Sequence, residues 1–171
     1  MNILKQYIRE VVKQTLHEQV KAGTPRLPEI PPATGGGAVP AADNSRLKKA
    51  RVSFANTSVQ YLTAYRNQLS QTRRFDPAIG ENIYSVAEQM INQLKKDTTN
   101  WTTVPREIDR EMSVLKPENS ALASLRSNTE WAHTSSTPNN QELQQKYNEV
   151  VNDNIPRIIA ALQAYSTFYS R

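Results

Sequence analysis

Apolar residues recur at steps of three and four along most of this chain, and no stretch of useful length alternates apolar with polar as a half-buried strand must. A chain patterned this way buries stripes rather than sheet faces, so the fold class it predicts is all-α. Residues 2–21 carry Ile3, Leu4, Tyr7, Ile8, Val11, Val12, Leu16 and Val20 on one face, with Lys5, Gln6, Arg9, Glu10, Lys13, Gln14 and Glu18 as the polar complement. A longer period runs from Ser45 to about Arg74 through Leu47, Ala50, Phe54, Tyr61, Leu62, Tyr65 and Leu69, which at 1.5 Å per residue makes a helix ~45 Å long. Asp76 before Pro77 reads as an N-cap with proline at the first helical position. The stripe then continues through Ile79, Ile83, Val86, Ala87, Met90, Ile91 and Leu94 to about Asp97. Thr103 and Pro105 open a shorter helix with Ile108, Met112 and Leu115 facing inward, and Pro117 closes it ahead of a turn through Ala121, Leu122 and Leu125. Ser127 to Asn140 is polar and turn-like apart from Trp131. The last helix carries Leu143, Tyr147, Val150, Val151, Ile155, Ile158, Ile159, Leu162, Tyr165 and Tyr169; its stripe stays in phase across Pro156, which predicts one kinked helix or two abutting ones.

One segment breaks the pattern. Residues 23–44 hold five prolines and four glycines with no usable period. Fully extended, such a linker reaches ~70 Å. The predicted organisation is therefore a detached amphipathic helix over 1–22, a Pro/Gly linker over 23–44, and an antiparallel helical bundle over 45–171 with three long helices and one or two short ones. No internal repeat of 20–50 residues is present.

The residue inventory narrows the chemistry. The chain of 171 residues has no Cys, two His and five Gly, which excludes disulfides, thiolate zinc sites, iron–sulfur clusters and a Cys nucleophile. His17 begins a His-Glu-x-x pattern whose fifth position is Lys21 rather than a second His, and His133 sits in the polar stretch without a local ligand partner. No metal site and no cofactor are expected. Glu107, Asp109, Glu111 and Glu118 form the one acidic cluster worth testing for carboxylate-pair catalysis, but Arg106 and Arg110 interleave with it at helical spacing, as in surface ion pairs. Gly35, Gly36 and Gly37 follow no strand, precede no helix and lack a following Lys-Ser or Lys-Thr, so they form a joint rather than a phosphate loop. No catalytic residues are assigned, and a non-enzymatic role is expected. No apolar run approaches the ~18 residues of a membrane span, and no signal peptide is legible at the N-terminus.

Charge is distributed unevenly. The chain has 21 Lys plus Arg against 16 Asp plus Glu, yet residues 46–75 contain Arg46, Lys48, Lys49, Arg51, Arg66, Arg73 and Arg74 and no acid. Arg73 and Arg74 fall in a last helical turn, where the helix dipole favours cations. Arg46, Lys48, Lys49 and Arg51 fall in a first turn or just beyond it, where the dipole opposes cations by ~0.3–1 kcal/mol each. Such a group is either solvated or paired within the bundle, or it meets an anionic partner. Lys48, Lys49, Arg51, Arg66, Arg73 and Arg74 are the candidate contacts of a nucleic-acid-binding module, the alternative function.

The N-terminal helix has a clear apolar stripe but no Trp or Phe, and it includes Glu10 and Glu18. This suits a groove on another protein better than a lipid surface, with packing on the chain's own bundle as the second alternative. The docking face is Ile3, Leu4, Tyr7, Ile8, Val11, Val12 and Leu16. The opening Met1-Asn2-Ile3-Leu4-Lys5-Gln6-Tyr7-Ile8-Arg9-Glu10-Val11-Val12 resembles the short amphipathic N-terminal helices, with a Tyr-Ile-Arg core, of small virion and accessory proteins of tailed bacteriophages. The resemblance covers about 20 residues of the chain. It implies a non-catalytic structural or assembly protein of a particle, located in the virion or the host cytoplasm and anchored by its arm to a larger capsid, neck or tail protein. All-α chains with such arms are often oligomeric, and copies of this one are expected to associate.

Overall fold

The computed structural model describes residues 25–31, 41–97, 106–116, 118, 120–134 and 137–171. Every regular element among them is helical: α1 (Ala41–Thr72), α2 (Pro77–Lys96), α3 (Arg106–Ser113), α4 (Ala121–His133), α5 (Asn140–Tyr147), a π-helical stretch (Asn148–Asn154) and α6 (Ile155–Tyr169). The all-α class follows directly. The expected docking arm, residues 1–22, lies outside the described residues, as do 32–40 with the Gly triplet.

α1 is the longest element, 32 residues or ~48 Å, and begins at Ala41 rather than Ser45. Its buried positions, Arg51, Phe54, Ala55, Ser58, Tyr61, Leu62, Tyr65 and Leu69, repeat at three and four. Ser58 is tolerated in that stripe because its hydroxyl donates to Phe54 O at 2.8 Å. The helix ends at Thr72, so Arg73 and Arg74 lie past it and not in its last turn. Arg73 takes φ 50, the left-handed conformation that commonly stops a helix. Phe75 is then buried, and the Asp76 side chain accepts from Ala78 N at 2.9 Å to cap α2, with Pro77 in the first turn as expected.

Three antiparallel pairings can be read from cross-helix contacts. α1 runs against the last helix, with Arg66 Nε donating to Val151 O at 3.1 Å and Ser166 to Asn56 Oδ1 at 2.9 Å. It runs against α2 as a hairpin closed at its far end by Arg51 and Asp97. α2 runs against α4, where Arg126 meets Glu88 and Tyr84, and the Gly80 backbone lies close to Ala132. A single core joins them, with Phe54, Leu62, Tyr65, Phe75, Ile83, Met90, Leu94, Met112, Leu115, Leu122, Ile155 and Tyr165 among its buried members. The side chain of Ile108 lies outside the described residues, whereas Met112 and Leu115 face inward as expected.

Two expectations are corrected. Ser127–His133 is helical, the second half of α4, and Trp131 packs on Phe75 with ring centroids 5.6 Å apart. The segment was unreadable because its inward positions include Thr129, which is buried and satisfied by donating to Leu125 O at 2.8 Å. The linker is also not free along its length: residues 25–31, without regular secondary structure, lie against α2. Leu27 and Ile30 are only 7% and 3% exposed, and two glutamines of α2 bond the backbone between them. Gln89 donates to Pro25 O at 2.6 Å and accepts from Leu27 N at 2.9 Å, while Gln93 accepts from Ile30 N at 3.1 Å. A carboxamide offers both donor and acceptor, so it can stand in for a neighbouring strand.

The last helix resolves the proline question. Pro156 has no N–H and its ring would collide with the carbonyl four residues back. The chain widens into a π turn just before it, where Ile155 N–H bonds Val150 O. Val150, Val151, Ile155, Ile158, Ala161, Leu162 and Tyr165 thereby remain one buried stripe through a continuous helical run from Asn140 to Tyr169.

Candidate functional site

Arg51, Asp97, Tyr165 and Tyr169 decide what one end of the molecule can do. Arg51, one-third of the way along α1, sends Nε and Nη2 to the two oxygens of Asp97 at 2.8 and 2.6 Å. The side chains are 8% and 0% exposed. Tyr165 of α6 donates to the same carboxylate at 3.3 Å, and the guanidinium lies 4.5 Å from the Tyr169 ring centroid. Burial opposes the charge on Arg51, but the hydrogen bond and charge of Asp97 outweigh it and hold the guanidinium above its ordinary pKa. Burial likewise raises the Tyr169 hydroxyl, against the pull of Arg51. Arg51 is therefore a structural clamp joining α1, α2 and α6, and is withdrawn from the candidate anion contacts.

The other candidates divide. Lys48 and Lys49 are exposed one turn before the clamp. With α1 starting at Ala41 they lie beyond the first turn, so the dipole penalty expected for them falls away. Arg66 is exposed and donates to the Val151 carbonyl. Arg73 and Arg74 lie at the opposite end of α1, Arg74 donating to Asn140 Oδ1 at 3.3 Å. The six residues thus do not form one surface. Sequence reasoning missed Lys95 and Lys96, the exposed last residues of α2, which Asp97 brings beside the Lys48 end of α1. Their only signal was the adjacency Lys95-Lys96-Asp97, which suggests local neutralisation; the carboxylate is instead turned inward to Arg51.

Among the described residues, those weighed for chemistry do not assemble; His17 and the side chain of Glu107 lie outside them. Asp109 and Glu118 are exposed, and Glu111 Oε2 is enclosed with no hydrogen-bond partner, so the ion pairs expected around Glu111 are not formed. His133 stacks on Tyr84 with centroids 4.7 Å apart. Among the described residues no three His, Asp or Glu side chains come close enough to hold a metal ion. An open groove of about 840 Å³ runs between α4 and α5 with the π stretch, lined by Trp131, Lys146, Glu130, Glu142 and Glu149 among others. Its charged groups are locally engaged. Glu142 completes the capping box of Asn139, Glu149 accepts from Gln145 at 2.9 Å, and Lys146 stands 5.9 Å over the Trp131 ring.

No protein-family model, curated protein or solved structure matches this chain. Among the described residues no helix is long and apolar enough to cross a membrane.

Proposed function

We propose that the protein is a non-catalytic structural or assembly component of a tailed-phage particle that docks on a larger capsid, neck or tail protein through residues 1–22. The observation that carries this reading is the seating of residues 25–31 on α2. Burial of Leu27 and Ile30, ~1.5–3 kcal/mol each when complete, fixes the chain immediately after the amphipathic stretch. The arm then departs from a defined point on the helical domain instead of trailing at the end of a 22-residue tether, which lowers the ordering cost of docking. Within this reading the partner is a virion protein, no cofactor is needed, and copies of the chain act together in the virion or the host cytoplasm.

The test is the double variant Ile8→Asp/Val12→Asp. Tagged wild-type protein recovered from its native source after nuclease treatment is expected to retain one or two abundant virion proteins in stoichiometric amount, and the variant to retain none. The thermal midpoint of the isolated variant stays within about 2 °C of wild type. A drop of more than ~6 °C, the mark of charges forced into a core, would assign these residues to the helical domain itself and overturn the docking role.

A further inference from the structure

We infer that the Lys48/Lys96 end of the molecule is a binding surface for the phosphate backbone of nucleic acid. The inference is independent of the docking arm. The Arg51–Asp97 clamp brings two helix segments together that are 46 residues apart in the chain. Arg46, Lys48 and Lys49 precede Arg51 on α1, and Lys95 and Lys96 precede Asp97 on α2. All five are exposed, and none has a carboxylate partner among the described residues. The clamp also supplies the asymmetry, because it turns Asp97, the acid next to Lys95 and Lys96 in sequence, inward to a buried guanidinium and leaves the lysines outward. Glu29, exposed on the segment bonded to Gln93, and Asp43, three residues before Arg46 in sequence, still leave five cations against two acids at this end. Unpaired cations held this close repel one another, and an array of phosphates removes that cost while releasing condensed counterions.

The surroundings favour nucleic acid over a membrane or an acidic peptide. Asn44, Ser45 and Asn92, close to the cations in sequence on α1 and α2, are exposed and able to donate to phosphate oxygens. Leu47, the apolar neighbour, packs against the core and is not offered to a bilayer. The cations stand on exposed helix ends, whereas the groove described above lies along α4 and α5, and α4 packs on the other end of α2 at Gly80. Contact with phosphates from such a surface is sequence-independent. Arg73 and Arg74 lie just past the far end of α1, whose run from Lys49 to Thr72 alone spans ~35 Å, and take no part.

The experiment is fluorescence anisotropy of the full chain with a labelled 20-base-pair duplex of arbitrary sequence between 50 and 300 mM NaCl. The logarithm of the association constant should fall against log salt with a slope of about −3 to −4.5, roughly −0.9 per phosphate neutralised. Lys48→Gln/Lys49→Gln and Lys95→Gln/Lys96→Gln should each flatten that slope by about 1.8, and the fourfold variant should flatten it by about 3.6 and weaken binding at least 100-fold at 50 mM salt. Arg73→Ala/Arg74→Ala should bind within twofold of wild type. These side chains are exposed, so unchanged circular dichroism melting separates lost contact from lost fold. The inference is overturned by absence of binding at 50 mM salt, by affinity indifferent to the lysine pairs, by equal loss in the Arg73/Arg74 variant, or by stronger binding to vesicles of 30% phosphatidylserine than to duplex.

Discussion

Breaking the Arg51–Asp97 clamp tests the architecture where it is most exposed to error. The pair is bidentate, with contacts of 2.6 and 2.8 Å and side chains 8% and 0% exposed, so water contributes little to solvating either charge. Arg51→Met deprives a fully buried carboxylate of this guanidinium. Removing one member of a buried pair costs ~3–5 kcal/mol, against ~5–15 kcal/mol for the stability of a whole domain. At about 2–4 °C per kcal/mol for a chain of this size, the midpoint should fall by ~6–20 °C. Asp97→Asn belongs at the lower end of that range, because the Tyr169 ring at 4.5 Å continues to solvate the cation. The triple variant Arg51→Met/Asp97→Leu/Tyr165→Phe, which removes both charges and the hydroxyl bonded to them, should recover most of the loss, since buried ion pairs are often replaceable by apolar groups of similar volume. Urea unfolding of the two singles, Arg51→Met/Asp97→Asn and the triple supplies the assay. Losses below about 1 kcal/mol for the singles are the signature of a solvated surface pair. That result would refute the burial and, with it, the apposition of α1 and the end of α2.

Other expectations follow from single sites. Tyr65 is 0% exposed and its hydroxyl has no hydrogen-bond partner, so Tyr65→Phe should stabilise the protein by about 1 kcal/mol or leave it unchanged; destabilisation beyond 1 kcal/mol in urea would show that the hydroxyl is satisfied. Burial first, and the neighbouring Tyr61 second, push the Tyr65 hydroxyl well above its ordinary value, and burial also raises Tyr169. The unfolded chain loses these protons near pH 10 while the folded chain keeps them. Stability is therefore full below pH 10 and falls above it by up to ~1.4 kcal/mol per pH unit per tyrosine. Urea midpoints at pH 9, 10 and 11 check this, and Tyr65→Phe should lessen the decline. Gly80 lies where an added Cβ would come 2.6 Å from Phe75 Cε1 and 3.0 Å from Ala132 Cβ. Gly80→Ala should thus lower stability by about 1 kcal/mol, although the same change in an open helix raises it by ~1 kcal/mol; a raised thermal midpoint would refute the close approach of α2 and α4.

The candidate surface was half legible in the sequence. Lys48 and Lys49 announced themselves because the acid-free run around them is a local property. Lys95 and Lys96 did not, because their membership depends on a contact between α1 and α2, and a charge beside an acid in sequence reads as neutralised. Arg51 failed in the opposite direction. Its place in the α1 stripe, three residues before Phe54, was visible, but arginine at an inward position counts as surface unless its partner is known.

Local chemistry by itself determined the helices, the Asp76–Pro77 start of α2 and the stripe that survives Pro156, because hydrophobic period, capping and proline geometry act over one or two turns. Tertiary structure alone decided the rest. Residues 25–31 have no period of their own and are ordered by the carboxamides of Gln89 and Gln93, more than 60 residues away. Ser127–His133 is helical because its weak inward face meets α2. The charged end exists because a buried arginine and aspartate draw two distant lysine pairs together. Each depends on which surfaces bury one another, and pairwise burial between distant segments leaves no periodic trace in either.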